Sequence, residues 1–320
     1  MSIALNILIL IAGLSLIVLG ADWLVDGASG VARKAGISEF VIGLTIVGFG
    51  TSCPELVVSL TGAFAGNSDI SIGNVVGSNI CNTLLILGLT AVIAPLAITK
   101  ENKYRDIPIN LFVTILLILM GMNATILGIG EHDGISRIEG LFFLLVFAVY
   151  IYFCFKNGTG AEDGGEDKKF SIGKCILLIV CGLGGLIGGG QLFVNSATDI
   201  AHHLGVSDKF IAITVLAGGT SLPELATCVV AAAKKKGQLA LGNVLGSNVF
   251  NILLILGCSA VVIPLDFSGM NLVDMGILLA SVLLLMFGTF AGKKMQINRV
   301  EGALLLACEI GYLIWLFTNL

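Results

Sequence analysis

Charge is what this sequence has least of. Asp, Glu, Lys and Arg make up 12% of its 320 residues, where a water-soluble domain carries roughly 25%. That shortage argues against a soluble globular fold and points to lipid as the solvent. Histidine is equally thin, at three residues, and the eight cysteines (53, 81, 154, 175, 181, 228, 258 and 308) include no CxxC pair. Most of these cysteines fall inside apolar stretches, where they read as small core residues rather than redox or metal-binding groups. His132, His202 and His203 fall in or near polar loops and are expected to be solvated.

What the chain does have is long apolar runs. It is 56% hydrophobic, with a mean hydropathy of +1.02. A helix needs about 20 mostly apolar residues to cross the hydrocarbon core. Ten candidates, centred near residues 13, 50, 82, 115, 147, 183, 221, 251, 281 and 309, nearly exhaust the chain and leave no room for a soluble domain. The 42 glycines suit close helix packing in lipid. The first span lacks a basic leader and a small-residue cleavage site, and Asp22 and Asp26 follow it, so it is expected to remain as a helix. The fold class expected is an all-α membrane protein.

Cytoplasmic loops collect Lys and Arg. With ten spans, the loops on one face hold all of the 17 basic residues except Arg137 and Lys209. Both termini are therefore expected outside, in the plasma or inner membrane. The longest polar stretch, KNGTGAEDGGEDKK from Lys156 to Lys169, carries Glu162, Asp163, Glu166 and Asp167. A regulatory calcium site is one reading of it; a flexible linker is the better one, because Gly-rich charged segments do not fold alone.

The chain is written twice. GFGTSCPEL (48–56) matches AGGTSLPEL (217–225), and GNVVGSNICNTLLILG (73–88) matches GNVLGSNVFNILLILG (242–257), at one offset of 169 residues (48 to 217). Gly36-Ile-Ser echoes in Gly205-Val-Ser, and RIEG at 137 returns as RVEG at 299 with a slightly shorter offset. Five spans in each half is an odd number, so the second half enters from the opposite side. The expected organisation is ten transmembrane helices in two inverted five-helix repeats: residues 1–157, a cytoplasmic linker at 158–170, and residues 171–320. Secondary transporters are commonly built this way, with the substrate site near the midplane.

The duplicated residues carry the chemistry. Pro54 and Pro223 have no N–H and break the helix beside Gly50 and Gly219. Freed carbonyls at membrane depth are tolerated only where they face protein or a water-filled cavity. Helical spacing sets Gly48, Ser52, Glu55 and Ser59 on one stripe with Thr51, and Ala217, Ser221, Glu224 and Cys228 on its counterpart with Thr220. A carboxylate at the bilayer centre costs at least ~2.5 kcal/mol and is functional by default. Asn74, Ser78 and Asn82 form a polar stripe on the third span, repeated by Asn243, Ser247 and Asn251 on the eighth; these serve equally as interhelical hydrogen-bonding groups. Gly73/Gly77 and Gly242/Gly246 are GxxxG steps that would let each helix press against a neighbour. Every candidate ligand is an oxygen, which suits hard cations such as calcium and sodium rather than zinc or copper. Two carboxylates match the charge of one calcium or of two or three sodium ions competing for one place. Glu309, inside the tenth span, serves either the bundle or a proton path, and the sequence leaves that open.

At these blocks the sequence resembles the cation/calcium exchanger superfamily, and G-T-S-x-P-E followed by G-N-x-x-G-S-N resembles its compact prokaryotic sodium/calcium exchangers. The resemblance implies that Glu55 and Glu224 are the central calcium ligands and share in sodium sites. Thr51 and Thr220 would add calcium-binding oxygens. Ser52, Ser221, Ser78 and Ser247, with carbonyls near Gly48 and Ala217, would line sodium sites. It also implies that the first and sixth helices slide to alternate access. Asn at both 82 and 251, where some relatives have Asp, makes the site less acidic and speaks against potassium co-transport. Gly48 opposite Ala217 suggests unequal outer sodium sites. The expected activity is sodium/calcium antiport, with calcium/proton antiport as the alternative; a cation channel and an intramembrane enzyme are less compatible with these residues. The ions are cargo, the bilayer is the surroundings, and neither a cofactor nor a nucleic-acid partner is expected.

Overall fold

A computed structural model describes residues 3–128, 132–157, 170–204, 217–291 and 295–319. Most of the linker, with Glu162, Asp163, Glu166 and Asp167, lies outside the described residues, as do Lys168, Lys169, Lys209, Lys293, Lys294 and the Gly205 echo. The described chain is helical apart from four two-residue strands. Helix α1 covers Ile3–Ala35. Helices α2 (Glu39–Thr51) and α3 (Cys53–Phe64) form one apolar segment bent by 47°. Then come α4 (Ser68–Ile93), α5 (Asn102–Gly121) and α6 (Arg137–Asn157). The second half has α7 (Ile172–His203), the short α8 (Ala217–Thr220), α9 (Leu222–Ala233), α10 (Gly237–Val262), α11 (Leu272–Ala291) and α12 (Arg299–Asn319).

Among the described residues, seven helices are long and apolar enough to cross a membrane: α1, α4, α5, α6, α7, α10 and α11. The bent α2–α3 pair makes an eighth. Of the two remaining expected spans, the one centred near residue 221 falls in part outside the described residues and otherwise on α8 and α9. The one centred near residue 309 falls on α12, 21 residues long, which carries Arg299, Glu301 and Glu309 and is not one of those seven.

Local chemistry starts and stops these helices. Asn67 caps α4 by accepting from the Ile70 N–H (3.3 Å), and Ser171 caps α7 by accepting from Lys174 (3.3 Å). The RIEG and RVEG glutamates are capping-box residues. Glu139 accepts from the Ser136 N–H (2.7 Å) at the head of α6, and Glu301 accepts from the Asn298 N–H (2.7 Å) at the head of α12.

Helices α1 and α7 pack antiparallel along a seam of glycines. A Cβ added at Gly13 would lie 2.9 Å from the Gly189 carbonyl, and one at Gly20 2.7 Å from that of Gly182. Gly27 meets Cys175 at the other end. The halves are also joined by two antiparallel strand pairs. Leu96–Ala97 (β1) pairs with Gln296–Ile297 (β4), and Gly134–Ile135 (β2) pairs with Leu265–Asp266 (β3). The acidic residues that follow the first apolar run now have a purpose. Lys234 Nζ lies 2.7 Å from Asp22 Oδ1 and 2.5 Å from Asp26 Oδ1, tying α1 to the end of α9. At the equivalent place on α7, Gln191 and Asn195 bond each other instead (2.7 Å).

Candidate cation site

The site is built on two matching helix breaks. Ser52 (φ −83°, ψ 6°) interrupts α2–α3, and Ser221 (φ −87°, ψ 4°) interrupts α8–α9. Pro54 and Pro223 each fall in the first turn of the helix that follows, where a missing N–H is tolerated. The break aims a serine and a glutamate from each half at the middle of the molecule.

There the two halves clasp. The Ser52 hydroxyl donates to Glu224 Oε1 (3.2 Å), and the Ser221 hydroxyl stands 3.5 Å from Glu55 Oε1. Ser78 donates to Glu55 Oε1 (3.3 Å) and lies 3.3 Å from the Ser221 oxygen. Thr220 also reaches Glu55, as Thr51 reaches Glu224. Both carboxylates are 1% exposed. In each, Oε2 is buried with no hydrogen-bond partner among the described residues. Asn82 Oδ1, Asn251 Oδ1 and the Ser247 hydroxyl share that condition. Buried oxygens left without a donor are costly, and each of these is an acceptor suited to a cation.

A second ring of bonds holds the frame. Asn82 donates to Asn248 Oδ1 (3.1 Å), and Asn251 donates to Asn79 Oδ1 (2.9 Å). Asn79 in turn donates to the Asn248 carbonyl (3.1 Å). The amide groups of Asn82 and Asn251 are thus fixed so that their oxygens are the ends left available. Both residues lie in π-wound turns, Asn82–Ile86 and Phe250–Leu256, a distortion frequent at functional sites. Asn79 and Asn248 were not singled out from the sequence. They are the last letter of each G-S-N, one position after the serine on the neighbouring helix face, which was the available signal.

Two candidate residues are committed elsewhere. Asn74 gives its amide to the Glu55 carbonyl (3.1 Å) and to Ser59 (2.9 Å), so it braces α3 against α4. Asn243 donates to the Cys228 sulfur (3.2 Å) and presents Oδ1 to the Thr51 hydroxyl (3.1 Å). Gly48 rests on α10, where an added Cβ would lie 3.3 Å from the Ser247 N–H nitrogen. Ala217 opens α8, and its side chain is outside the described residues. The GxxxG of Gly242 and Gly246 brings α10 onto α2, with an added Cβ falling 2.2 Å from the Phe40 carbonyl and 2.3 Å from that of Leu44. The matching partner of Gly73 and Gly77 would come from 209–213, outside the described residues.

Among the described residues no three His, Cys, Asp or Glu side chains are placed to hold one metal ion. The site therefore offers two carboxylates completed by hydroxyl and amide oxygens, a hard-cation set.

Known proteins resemble this chain over nearly all of its length. The family model described as sodium/calcium exchanger protein matches residues 5–156 and 174–318. The putative antiporter CaxA of Alkalimonas amylolytica is 37% identical over 320 residues, covering 97% of this chain and 98% of the relative. The sodium/calcium exchanger MaX1 of Methanosarcina acetivorans is 34% identical, covering 98% and 99%. A solved structure of the sodium-calcium exchanger NCX_Mj, soaked with Na+ and Sr2+, superposes with a TM-score of 0.85 at 35% identity, over 98% of this chain and 99% of that one. A chain matched end to end by that model, and laid out around paired Pro-Glu breaks, belongs to the sodium/calcium exchanger family of membrane antiporters.

Proposed function

We propose that this chain exchanges sodium for calcium by alternating access, through ten membrane spans in two inverted five-helix repeats (1–157 and 171–320, joined by 158–170) with both termini outside. The observation that carries the proposal is the reciprocal clasp. A serine of each half binds the glutamate of the other, and five buried oxygens (on Glu55, Glu224, Asn82, Asn251 and Ser247) have no hydrogen-bond partner among the described residues. The antiparallel seam of α1 and α7, whose residues correspond at the 169-residue offset, supports the inversion. Glu55 and Glu224 hold calcium, with Thr51, Thr220, Asn82 and Asn251 around them. Ser52, Ser78, Ser221 and Ser247, with backbone oxygens near Gly48 and Ala217, hold sodium. Because both ions need the same two carboxylates, one displaces the other. Asn74 and Asn243 position their neighbours.

The test is calcium uptake into sodium-loaded proteoliposomes diluted into sodium-free buffer at clamped pH. Uptake is expected to collapse when the sodium gradient is abolished. Uptake that ignores sodium and follows an imposed pH gradient would replace the reading with calcium/proton antiport.

Ser78 sits at the junction of the clasp, touching Glu55 and Ser221. Ser78→Ala removes one neutral ligand, a loss of about 1 kcal/mol. It is expected to raise the sodium concentration for half-maximal exchange several-fold, with a smaller effect on calcium. Equal changes for both ions in the same vesicles would remove the dedicated sodium role.

A further inference from the structure

The two halves agree closely enough that one disagreement stands out. Helix α6 rests on α10 in the same register as α12 rests on α4. A Cβ added at Gly140 would meet Gly257 O (2.9 Å), Ala260 Cβ (2.9 Å) and Val261 N (3.1 Å). One added at Gly302 would meet Gly88 O (2.7 Å), Ala91 Cβ (2.9 Å) and Val92 N (3.0 Å), the counterparts of those three residues at the 169-residue offset. This register makes Glu309 the counterpart of Phe147, as Gly218 is of Phe49 and Cys81 of Phe250.

On one side of the site, where α2, α6 and α10 meet, Phe49, Phe147 and Phe250 pack together. Phe250 packs on Phe147 (ring centroids 4.9 Å apart) and on Phe49 (5.7 Å). Outside them lies an apolar groove of about 440 Å³, lined also by Cys53, Ile151 and Phe155. Behind them, Phe49 and Phe250 abut Ser52. On the symmetry-related side, where α8, α12 and α4 take those places, the three positions hold Gly218, Glu309 and Cys81 instead. Gly218 is exposed, and a Cβ there would meet no described atom within 4 Å. Cys81, half-buried, lies within electrostatic reach of Glu309, Glu224 and Glu55, and the Ser221 hydroxyl reaches its sulfur. Glu309 is 5% exposed, and its Oε2 has no hydrogen-bond partner among the described residues. The nearby Tyr312 has given its hydroxyl to Asp274 (3.0 Å). Glu309, Cys81 and Gly218 thus stand where the other side has phenylalanine, and the Ser221 beside Cys81 also reaches Glu55.

A buried carboxylate in a membrane needs a compensating cation or a partner, and the groups facing this one (Cys81, Tyr312 and, beyond them, Asp274, Glu55 and Glu224) supply no positive charge. We propose that Glu309 is a third cation-binding carboxylate, at which a monovalent cation, sodium, halts between the surroundings and the exchange site. A single carboxylate matches one positive charge, and the pair at Glu55 and Glu224 matches two. The proposal rests on the sodium-coupled reading above and adds a route to it on one side of the site only.

The test compares Glu309→Gln with the wild type in the sodium-driven uptake assay, titrating sodium and calcium separately at fixed pH. Losing one charged ligand is expected to raise the sodium concentration for half-maximal exchange roughly tenfold, with calcium half-saturation changed less than twofold. Glu309→Asp should restore sodium dependence toward wild type. Cys81→Phe, which supplies the ring that Phe250 provides on the other side, should slow sodium-dependent exchange. Phe147→Leu, on the phenylalanine side, should leave sodium half-saturation where it was. Unaltered sodium dependence in Glu309→Gln, or equal shifts for both ions, overturns the proposal while the exchanger reading stands. A wild type that does not couple to sodium sinks the exchanger reading first, and this inference with it.

Discussion

Glu55→Gln and Glu224→Gln are each expected to reduce calcium transport at least ~100-fold, with the protein still folded in the membrane. The magnitude follows from charge and from donors. Each substitution halves the negative charge facing a divalent ion, and a charge-assisted contact contributes about 1.5–3 kcal/mol before repulsion is counted. The glutamine NH2 also turns a donor toward the cation where an acceptor stood. Calcium needs 6–8 oxygens, and the neutral hydroxyls and amides around this site do not replace a lost carboxylate. The fold survives because the glutamine carbonyl still accepts from the neighbouring serines: Ser221 and Ser78 at position 55, Ser52 at position 224. The clasp is reciprocal, so the two variants should fail to a similar degree. Uptake assays paired with size-exclusion profiles check both halves of the statement. Normal exchange in either variant would remove that glutamate from the site.

The chemistry of this site was legible because it is written twice. One Pro-Glu beside a Thr-Ser is ambiguous; two in register mark a shared centre, and the structure brings Ser52, Glu55, Ser78, Ser221 and Glu224 together as that repetition implies. Helical periodicity tells which residues share a face but not what the face meets. Asn74 and Asn82 lie on one stripe, yet Asn74 turns to the backbone of α3 while Asn82 crosses to Asn248. Asn79 and Asn248 escaped notice for the same reason, since their importance is a partnership across 169 residues of chain. The use of Asp22 and Asp26 was hidden too, because their partner Lys234 is brought to them only when α1 packs on α9. Glu309 shows the converse. Its oddness is visible in sequence, but its place opposite Phe147 emerges only when Gly140 and Gly302 are seen to pack alike.

The glycine contact of α10 on α2 sets up the second large effect. Gly242→Val is expected to leave little or no folded protein. An added Cβ would sit 2.2 Å from the Phe40 carbonyl and 2.9 Å from the Leu44 nitrogen, and both obstacles are backbone, so no side chain can swing aside. Overpacking a core by a few methylenes costs ~1–3 kcal/mol when neighbours adjust; here the helices themselves must separate, and more than that range is expected. Separation would also pull Asn243 and Ser247 away from Thr51 and Gly48, so any protein that survives should exchange poorly. The control is Gly184→Ala on α7, where a Cβ meets no described atom within 4 Å. Removing glycine from that helix should be neutral or stabilising by about 0.5–1 kcal/mol. Thermal unfolding in detergent, followed by size exclusion, separates the two. A Gly242→Val protein as monodisperse and heat-resistant as the wild type would mean that the α2–α10 contact does not hold the site together.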